Sequence, residues 1–211
     1  MVTPKKGKAE KFWDRTALTY DQEEGPDEKI YLQIIDQVRD YLKATDVVLD
    51  FGCGTGSVTN RMASSVKQVY AIDLSSEMIK IARRKAKSQK VTNVEYVQST
   101  IFSDALKPNT YDVILGLYVL HLLEEPEEVL RRIGQLLKPG GILISVTPCM
   151  GENSFFAGTF LSMLSKIGIV PPVRSFKSRD LEDLLGNEMA EILAFTKLEK
   201  TSNQYFIVAK K

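Results

Sequence analysis

The spacing of hydrophobic residues changes along this chain and divides it into alternating element types. Residues 12–20 and 30–42 carry apolar side chains at helical spacing, which predicts two N-terminal helices. Residues 47–51 then form a short continuous apolar run that ends in glycines, as a strand buried in a parallel sheet does. Similar runs follow downstream, most of them separated by helical patterns. Strands are predicted at residues 47–51, 69–72, 94–97, 111–117, 142–146, 192–198 and 205–209.

The order of these elements predicts the fold class. Strands that alternate with helices imply right-handed crossovers and a doubly wound α/β fold with a mostly parallel, seven-stranded sheet. Because only a short segment separates the last two strands, we expect them to pair as an antiparallel hairpin at the sheet edge. Helices are predicted at residues 57–64, directly after an N-cap at Ser75, and at 126–137, 155–167 and 178–185.

Composition restricts the class of protein. With 211 residues, 44% of them hydrophobic, the chain suits one globular domain. Its 28 basic residues nearly cancel its 27 acidic ones, so nucleic acid is disfavoured as a substrate without being excluded. Cys53 and Cys149 are too few for a disulfide framework, which favours a reducing, cytoplasmic setting. The sequence shows no secretory signal and no apolar run of the ~18 residues that a membrane span needs, so we expect a soluble protein.

The strongest chemical signal is the sequence Asp-Phe-Gly-Cys-Gly-Thr-Gly at residues 50–56, where the first strand ends. Glycines let the backbone turn sharply and let a ligand approach closely, and open α/β sheets bind ligands at this edge. A dinucleotide site usually reads G-x-G-x-x-G and holds a pyrophosphate. Here the spacing is G-x-G-x-G, and the Asp50 carboxylate would repel a pyrophosphate but attract an ammonium and a sulfonium. The motif therefore favours a cationic cofactor over a diphosphate.

Asp73 adds an independent constraint, because it ends the second predicted strand. A carboxylate there can accept both hydroxyls of a ribose, and each such bond is worth about 1.5–3 kcal/mol. An acidic residue at this place also occurs in NAD sites, so Asp73 by itself indicates a nucleoside. Combined with Asp50 and the glycine spacing, the signal becomes far more specific.

On these motifs the chain resembles the class I S-adenosylmethionine (SAM)-dependent methyltransferases, in particular their small-molecule group. The resemblance extends from Phe12 to about Thr147, and it includes a fourth-strand motif at residues 111–117 and a turn at 136–141. It implies SAM as the cofactor and S-adenosylhomocysteine (SAH) as the product. The cofactor-binding residues that it implies are Tyr20, Asp50, Gly52, Cys53, Gly54, Gly56, Asp73, Leu74, Met78, Thr100 and Leu117.

The resemblance also assigns parts of the cofactor to particular residues. The glycine motif wraps the methionine portion, and Leu74 and Met78 contact the adenine. The family often has an acidic residue after the third strand that accepts from the adenine amino group; Thr100 stands there instead, and its uncharged hydroxyl makes a weaker bond. Residues 12–20 resemble an N-terminal helical lid over the cofactor, in which Tyr20 either reaches the methionine carboxylate or packs the helix.

We assign no catalytic residue from the sequence. His121 is the only histidine and follows the fourth strand, so it is a weak candidate for a general base, although its leucine neighbours are more typical of a structural histidine. In-line displacement of an activated methyl group can run largely on proximity and orientation, so a missing base does not argue against it. Cys53 has no basic partner, and nothing in the sequence indicates a metal site.

The predicted organisation is a single methyltransferase domain with a lid at residues 1–44, a SAM-binding core at 45–147, and an acceptor-side insertion with closing strands at 148–211. The Asn/Asp-Pro-Pro-aromatic motif of nucleic-acid amino-methyltransferases is missing after the fourth strand, which favours a small-molecule acceptor. A protein or RNA methyltransferase and a non-catalytic SAM-binding module remain as alternatives. An NAD-dependent oxidoreductase is disfavoured by Asp50.

Overall fold

The computed structural model describes residues 7–23, 28–152, 173–199 and 202–211, and the predicted helix at 155–167 lies outside them. The strands of the described residues form one sheet: β1 Val47–Phe51, β2 Gln68–Asp73, β3 Val94–Gln98, β4 Tyr111–Leu117, β5 Leu137–Pro148, β6 Glu191–Lys197 and β7 Gln204–Lys210. Their order across the sheet is β3-β2-β1-β4-β5-β7-β6. Each strand that was predicted from the sequence is therefore present.

The direction of the strands confirms the predicted fold class. Strands β1 to β5 pair in parallel, whereas β7 runs antiparallel to both of its neighbours, β5 and β6. The last two strands thus form the expected antiparallel pair at the sheet edge. The chain order reverses between β1 and β4, and at such a switch point the carboxyl ends of the strands leave a crevice in which ligands of open α/β sheets bind.

Helices cover both faces of the sheet: α1 Lys8–Thr16, α2 Tyr20–Glu23, α3 Glu28–Arg39, α4 Ser57–Met62, α5 Ser76–Ser88, α6 Pro126–Leu136 and α7 Ser178–Glu188. Ile34 of α3 and Ile79 of α5 belong to the apolar core on one face, and Ile133 of α6 and Leu185 of α7 belong to the core on the other. Burial on both faces explains why the strands read as continuous apolar runs. Among the described helices, none is long and apolar enough to cross a membrane.

Several element boundaries differ from the prediction by a few residues, and two of these differences are described here. The single helix expected at residues 12–20 is divided, since α1 ends at Thr16 and α2 begins at Tyr20. The Thr16 hydroxyl donates back to carbonyls in the preceding turn, a local bond that competes with regular helix. Strand β5 begins at Leu137 instead of residue 142, because Leu137 pairs with Tyr111 of β4 before the register shifts.

Candidate functional site

Three positions of the loop that follows β1 have a backbone conformation that favours glycine. Gly52, Gly54 and Gly56 have φ values of 73°, 54° and 74°, in the left-handed region that other residues rarely adopt. A Cβ atom on Gly52 would lie 2.9 Å from a methyl group of Val119, and one on Gly56 would lie 2.5 Å from the hydroxyl of Tyr96. The loop is therefore packed tightly on its inner side, and its backbone faces the crevice.

Asp73 is oriented by the backbone around it. Its two carboxylate oxygens accept the N–H of Gly54 at 2.9 Å and the N–H of Ser75 at 2.8 Å. Burial raises the pKa of this carboxyl above its usual value, although the two backbone bonds favour the ionised form. The side chain is thus held in one orientation at the carboxyl end of β2, where the sequence predicted a ribose ligand.

Asp50 is buried more deeply than Asp73, and fewer hydrogen bonds compensate its negative charge. It is 4% exposed, and the hydroxyl of Thr59 donates to it at 2.5 Å. Burial raises its pKa to about 6, and the negative charge of Asp73 adds to the shift. A cationic group of a ligand beside Asp50 would offset this penalty and favour the ionised form.

Two adjoining cavities open at this edge of the described structure. One, of about 310 Å³, is lined mainly by apolar side chains and includes Asp73; we call it the apolar cavity. The other, of about 610 Å³, includes Asp50 and is lined by more polar groups; we call it the polar cavity. The residues that line both are Tyr20, Gly52, Gly54, Leu117 and Tyr118. These shared residues mark the junction of the two cavities.

The structure brings together most of the residues that the sequence singled out. Those that line the apolar cavity, the polar cavity or both are Tyr20, Asp50, Gly52, Cys53, Gly54, Asp73, Leu74, Met78, Thr100 and Leu117. Gly56 lines neither cavity and instead lets the loop pack against Tyr96 and Ala82. Desolvation and the negative charges of Asp50 and Asp73 raise the pKa of the Cys53 thiol well above its usual value. That environment keeps it protonated.

Helices α1 and α2 are attached over the site by carboxylates. Asp14 of α1 accepts from the hydroxyl of Ser75 at 2.7 Å. Asp21 of α2 accepts from the hydroxyl of Thr55 at 2.6 Å and pairs with the ammonium of Lys85 at 2.6 Å. Sequence reasoning missed both aspartates, because no spacing along the chain relates them to partners that lie 61 and 34 positions away.

Tyr118 is the strained residue of the site. Its φ is +56°, which is unfavourable for a side chain with a Cβ. Its hydroxyl donates to the amide oxygen of Gln204 on β7 at 2.6 Å, and burial raises its pKa above the usual value. Since Tyr118 lines both cavities, this bond fixes an aromatic wall at their junction. The sequence offered no signal for Gln204.

His121 lies apart from the two cavities, since it lines neither of them. Burial lowers the pKa of its imidazole to about 4. Within the described part of the chain, its Nδ1 atom is buried without a hydrogen-bond partner. The imidazole is therefore neutral at pH 7 and is a weak base there.

The same region matches known proteins. Residues 42–185 match the family model described as a methyltransferase domain. A malonyl-[acyl-carrier protein] O-methyltransferase of Halalkalibacterium halodurans is 29% identical over 172 residues, which are 76% of this chain and 62% of the relative. A ubiquinone biosynthesis O-methyltransferase of Serratia proteamaculans is 39% identical over 95 residues, which are 44% of this chain and 39% of the relative. The chain thus spans about two fifths to three fifths of these relatives.

A solved structure supports the fold. The SAM-dependent methyltransferase from Aquifex aeolicus superposes with a TM-score of 0.70 at 21% identity, covering 93% of this chain and 97% of that one. The family match, in contrast, extends over more than half of the sequence and includes β1 with its glycine loop, β2 and β4. The chain therefore belongs to the class I SAM-dependent methyltransferases, a family whose members use SAM as the methyl donor.

Proposed function

We propose that this protein transfers the methyl group of SAM to a nucleophilic atom of a small molecule by in-line displacement and releases SAH. One observation carries the proposal. Asp50, next to the last residue of β1, and Asp73, the last residue of β2, lie on neighbouring parallel strands. A loop of left-handed glycines follows β1, and each aspartate lines one of the two adjoining cavities. A cationic nucleoside is the ligand class that matches two carboxylates in this arrangement.

Each part of the site has a role in this proposal. Asp73, already oriented by two N–H groups, accepts the ribose hydroxyls in the apolar cavity. Leu74, Met78 and Thr100 line the wall for the base. Asp50 ionises beside the α-ammonium of the methionine portion in the polar cavity. Gly52 and Gly54 allow close approach because they carry no side chain.

Bound in this way, the cofactor supplies a methyl group that its sulfonium makes electrophilic. The chain contributes position and a dry environment. Tyr20, Leu117 and Tyr118 wall the junction of the cavities, and helices α1 and α2 exclude water from it. His121 has no part in this scheme as a base, since burial holds its pKa at about 4.

An oxygen atom is the acceptor that the relatives favour. Both curated relatives described above are O-methyltransferases, one for malonyl-acyl-carrier protein and one in ubiquinone biosynthesis. The balanced charge of the chain, with 28 basic and 27 acidic residues, also suits a small molecule better than a nucleic acid. We therefore propose a small molecule with a hydroxyl or carboxyl group as the methyl acceptor.

Calorimetric titration with SAH tests the cofactor site, with NADH as the comparison ligand. We expect SAH to bind and NADH not to bind. Asp73→Ala should weaken SAH about 100-fold, because two charge-assisted bonds are lost. Asp183→Ala, an exposed aspartate on α7, is the matched control and should leave the affinity unchanged. Tighter binding of NADH than of SAH would refute the proposal.

Methyl transfer itself needs a second measurement. Incubation with methyl-labelled SAM and a panel of hydroxylated and carboxylated small molecules should label at least one of them, and Asp73→Ala should abolish the labelling. If SAH binds but labelled methyl moves to none of them, and moves instead to protein or RNA, the small-molecule acceptor is wrong. If it moves to no acceptor at all, the chain acts as a SAM-binding module.

A further inference from the structure

The turn that follows β4 is fixed by its backbone and by the packing of one side chain. Tyr118 has a φ of +56°, and its N–H donates to the carbonyl of Val146 on β5 at 2.8 Å. The next residue, Val119, packs beside two glycines, since a Cβ atom on Gly52 or on Gly116 would lie 2.9 or 3.3 Å from its side chain. The freedom that remains to Tyr118 is therefore rotation of its side chain.

The hydroxyl group determines where this side chain lies. It donates to the amide oxygen of Gln204 at 2.6 Å, and among the described residues Gln204 is its only hydrogen-bond partner. Because burial raises the pKa of Tyr118, the hydroxyl stays protonated and can donate at neutral pH. The residue lines both cavities. A ring released from Gln204 could thus rotate into space that a ligand would fill.

Gln204 is itself held by its backbone. It is the first residue of β7, where it pairs with Pro148 of β5. Its N–H donates to the hydroxyl of Ser202 at 3.0 Å, and its carbonyl accepts from the N–H of Leu198 at 3.0 Å. The amide side chain therefore extends from a backbone that is bonded on both sides, and it can anchor the hydroxyl of Tyr118.

We propose that Gln204 is a positioning residue, which keeps the junction of the two cavities open by holding the ring of Tyr118 against β7. This inference rests on the proposed function, because it takes the cofactor to span the junction, from the ribose in one cavity to the methionine portion in the other. Without the bond, the ring takes several rotamers, and only a fraction of the molecules accepts the cofactor. The affinity falls in proportion to that fraction.

Calorimetric titration with SAH tests the inference. Gln204→Met keeps the length of the side chain and removes the acceptor, so the affinity for SAH should fall about five- to tenfold. Gln204→Glu retains an acceptor oxygen and should bind SAH within about twofold of the natural protein. This rescue is expected only if the hydrogen bond to Tyr118 matters, since Met and Glu are both changes of the same side chain.

Gln33→Met is the matched control. The amide nitrogen of Gln33 donates to the carbonyl of Leu198 at 2.7 Å, so it holds the chain directly after β6 by a bond that does not involve Tyr118. Gln33 lines neither cavity, and its substitution should leave the affinity for SAH unchanged. Equal losses in Gln33→Met and Gln204→Met would place the effect in the packing of β6 and β7 and would overturn the inference.

A double-mutant cycle tests the partner of Gln204. Tyr118→Phe removes the same hydrogen bond from its other side, so it should weaken SAH as much as Gln204→Met does, and the two changes together should weaken it no further. Additive effects would overturn the inference, as would a lower urea midpoint in Gln204→Met with unchanged SAH affinity, because the role of Gln204 would then be structural. Both outcomes leave the proposed function intact. Absence of SAH binding by the natural protein would contradict the proposed function and this inference with it.

Discussion

The glycine loop after β1 and the N-terminal helices α1 and α2 line the same cavities but are held in place by different forces. The loop is held by its own backbone, with three glycines at positive φ, of which Gly52 packs against Val119 and Gly56 against the buried Tyr96 and Ala82. The helices are attached by side-chain contacts, and the Asp21–Lys85 pair keeps 43% and 26% of its side-chain surfaces exposed. Contacts of this second kind can be replaced by water at little cost.

The difference suggests that the site consists of a fixed part and a part that can move. The loop and the strand ends form a fixed half, since changing their conformation would disturb the core. We propose that the two helices act as a lid, which opens for the cofactor to enter when polar contacts such as the Asp21–Lys85 pair break. The predictions that follow test this contrast, beginning with the largest expected effect.

Gly56→Ala should destabilise the fixed half, and this is the largest effect that we expect. A Cβ atom there would meet the Tyr96 hydroxyl at 2.5 Å and the Ala82 methyl at 2.9 Å, on a backbone with φ of 74°. We expect the free energy of unfolding to fall by about 2–4 kcal/mol in urea denaturation. Gly134→Ala in α6 is the control, since nothing lies within 4 Å of its Cβ position, and it should stabilise by about 0.5–1 kcal/mol. Equal losses in both variants would contradict the packing argument.

Asp50→Asn should make the unliganded protein more stable and the binding of SAH weaker. The folded pKa of Asp50 is about 6 and exceeds the usual value of 3.8, so stability is lost as the pH rises between those values. At pH 7 the variant avoids this penalty and should gain about 1–3 kcal/mol in free energy of unfolding. Below about pH 3 the gain should vanish, because Asp50 is then neutral in both the folded and the unfolded state.

Asp112→Asn is the control of opposite sign. The pKa of Asp112 is lowered by Lys138 and by the N–H of Val47, which outweigh its partial burial. The variant should therefore be less stable than the natural protein at pH 7, and this loss should disappear in acid. A gain in stability from both substitutions would mean that charge removal in general, and not burial of Asp50, is responsible.

Asp21→Asn should affect the lid and leave the core intact. Loss of the ion pair with Lys85 should weaken SAH about three- to fivefold, with a smaller effect in high salt and no change in the urea midpoint. Lys80→Met breaks another α5 ion pair, the one with Glu77, which does not involve α2, and should not alter SAH affinity. An affinity loss that persists unchanged at high salt would argue against an electrostatic lid contact.

The smallest expected effect concerns His121, which belongs to neither half of the site. Because its pKa is about 4, its imidazole protons should show no titration between pH 5.5 and 8 in NMR spectra, where a single histidine gives an unambiguous signal. A midpoint near 6.5 would contradict the burial of the ring and would restore His121 as a candidate base.

Local patterns predicted the fixed half well. A run of apolar residues ending in closely spaced glycines defines a strand and a turn without reference to distant residues, so the loop from Gly52 to Gly56 could be located directly. Asp50 and Asp73 were found for the same reason, because each one stands at or next to the end of a predicted strand. The boundary inside residues 12–20 was missed, because the apolar residues keep a helical spacing across the break between α1 and α2.

The sequence by itself determined the order of strands and helices, the glycine loop and the two aspartates, because backbone conformation and hydrophobic period are local properties of neighbouring residues. Only the tertiary structure decided that Asp21 meets Lys85, that Tyr118 is held by Gln204, 86 residues away, and that Nδ1 of His121 is buried. The physical reason is that ion pairs, hydrogen bonds and pKa shifts depend on separation in space and on desolvation, which arise when the chain packs.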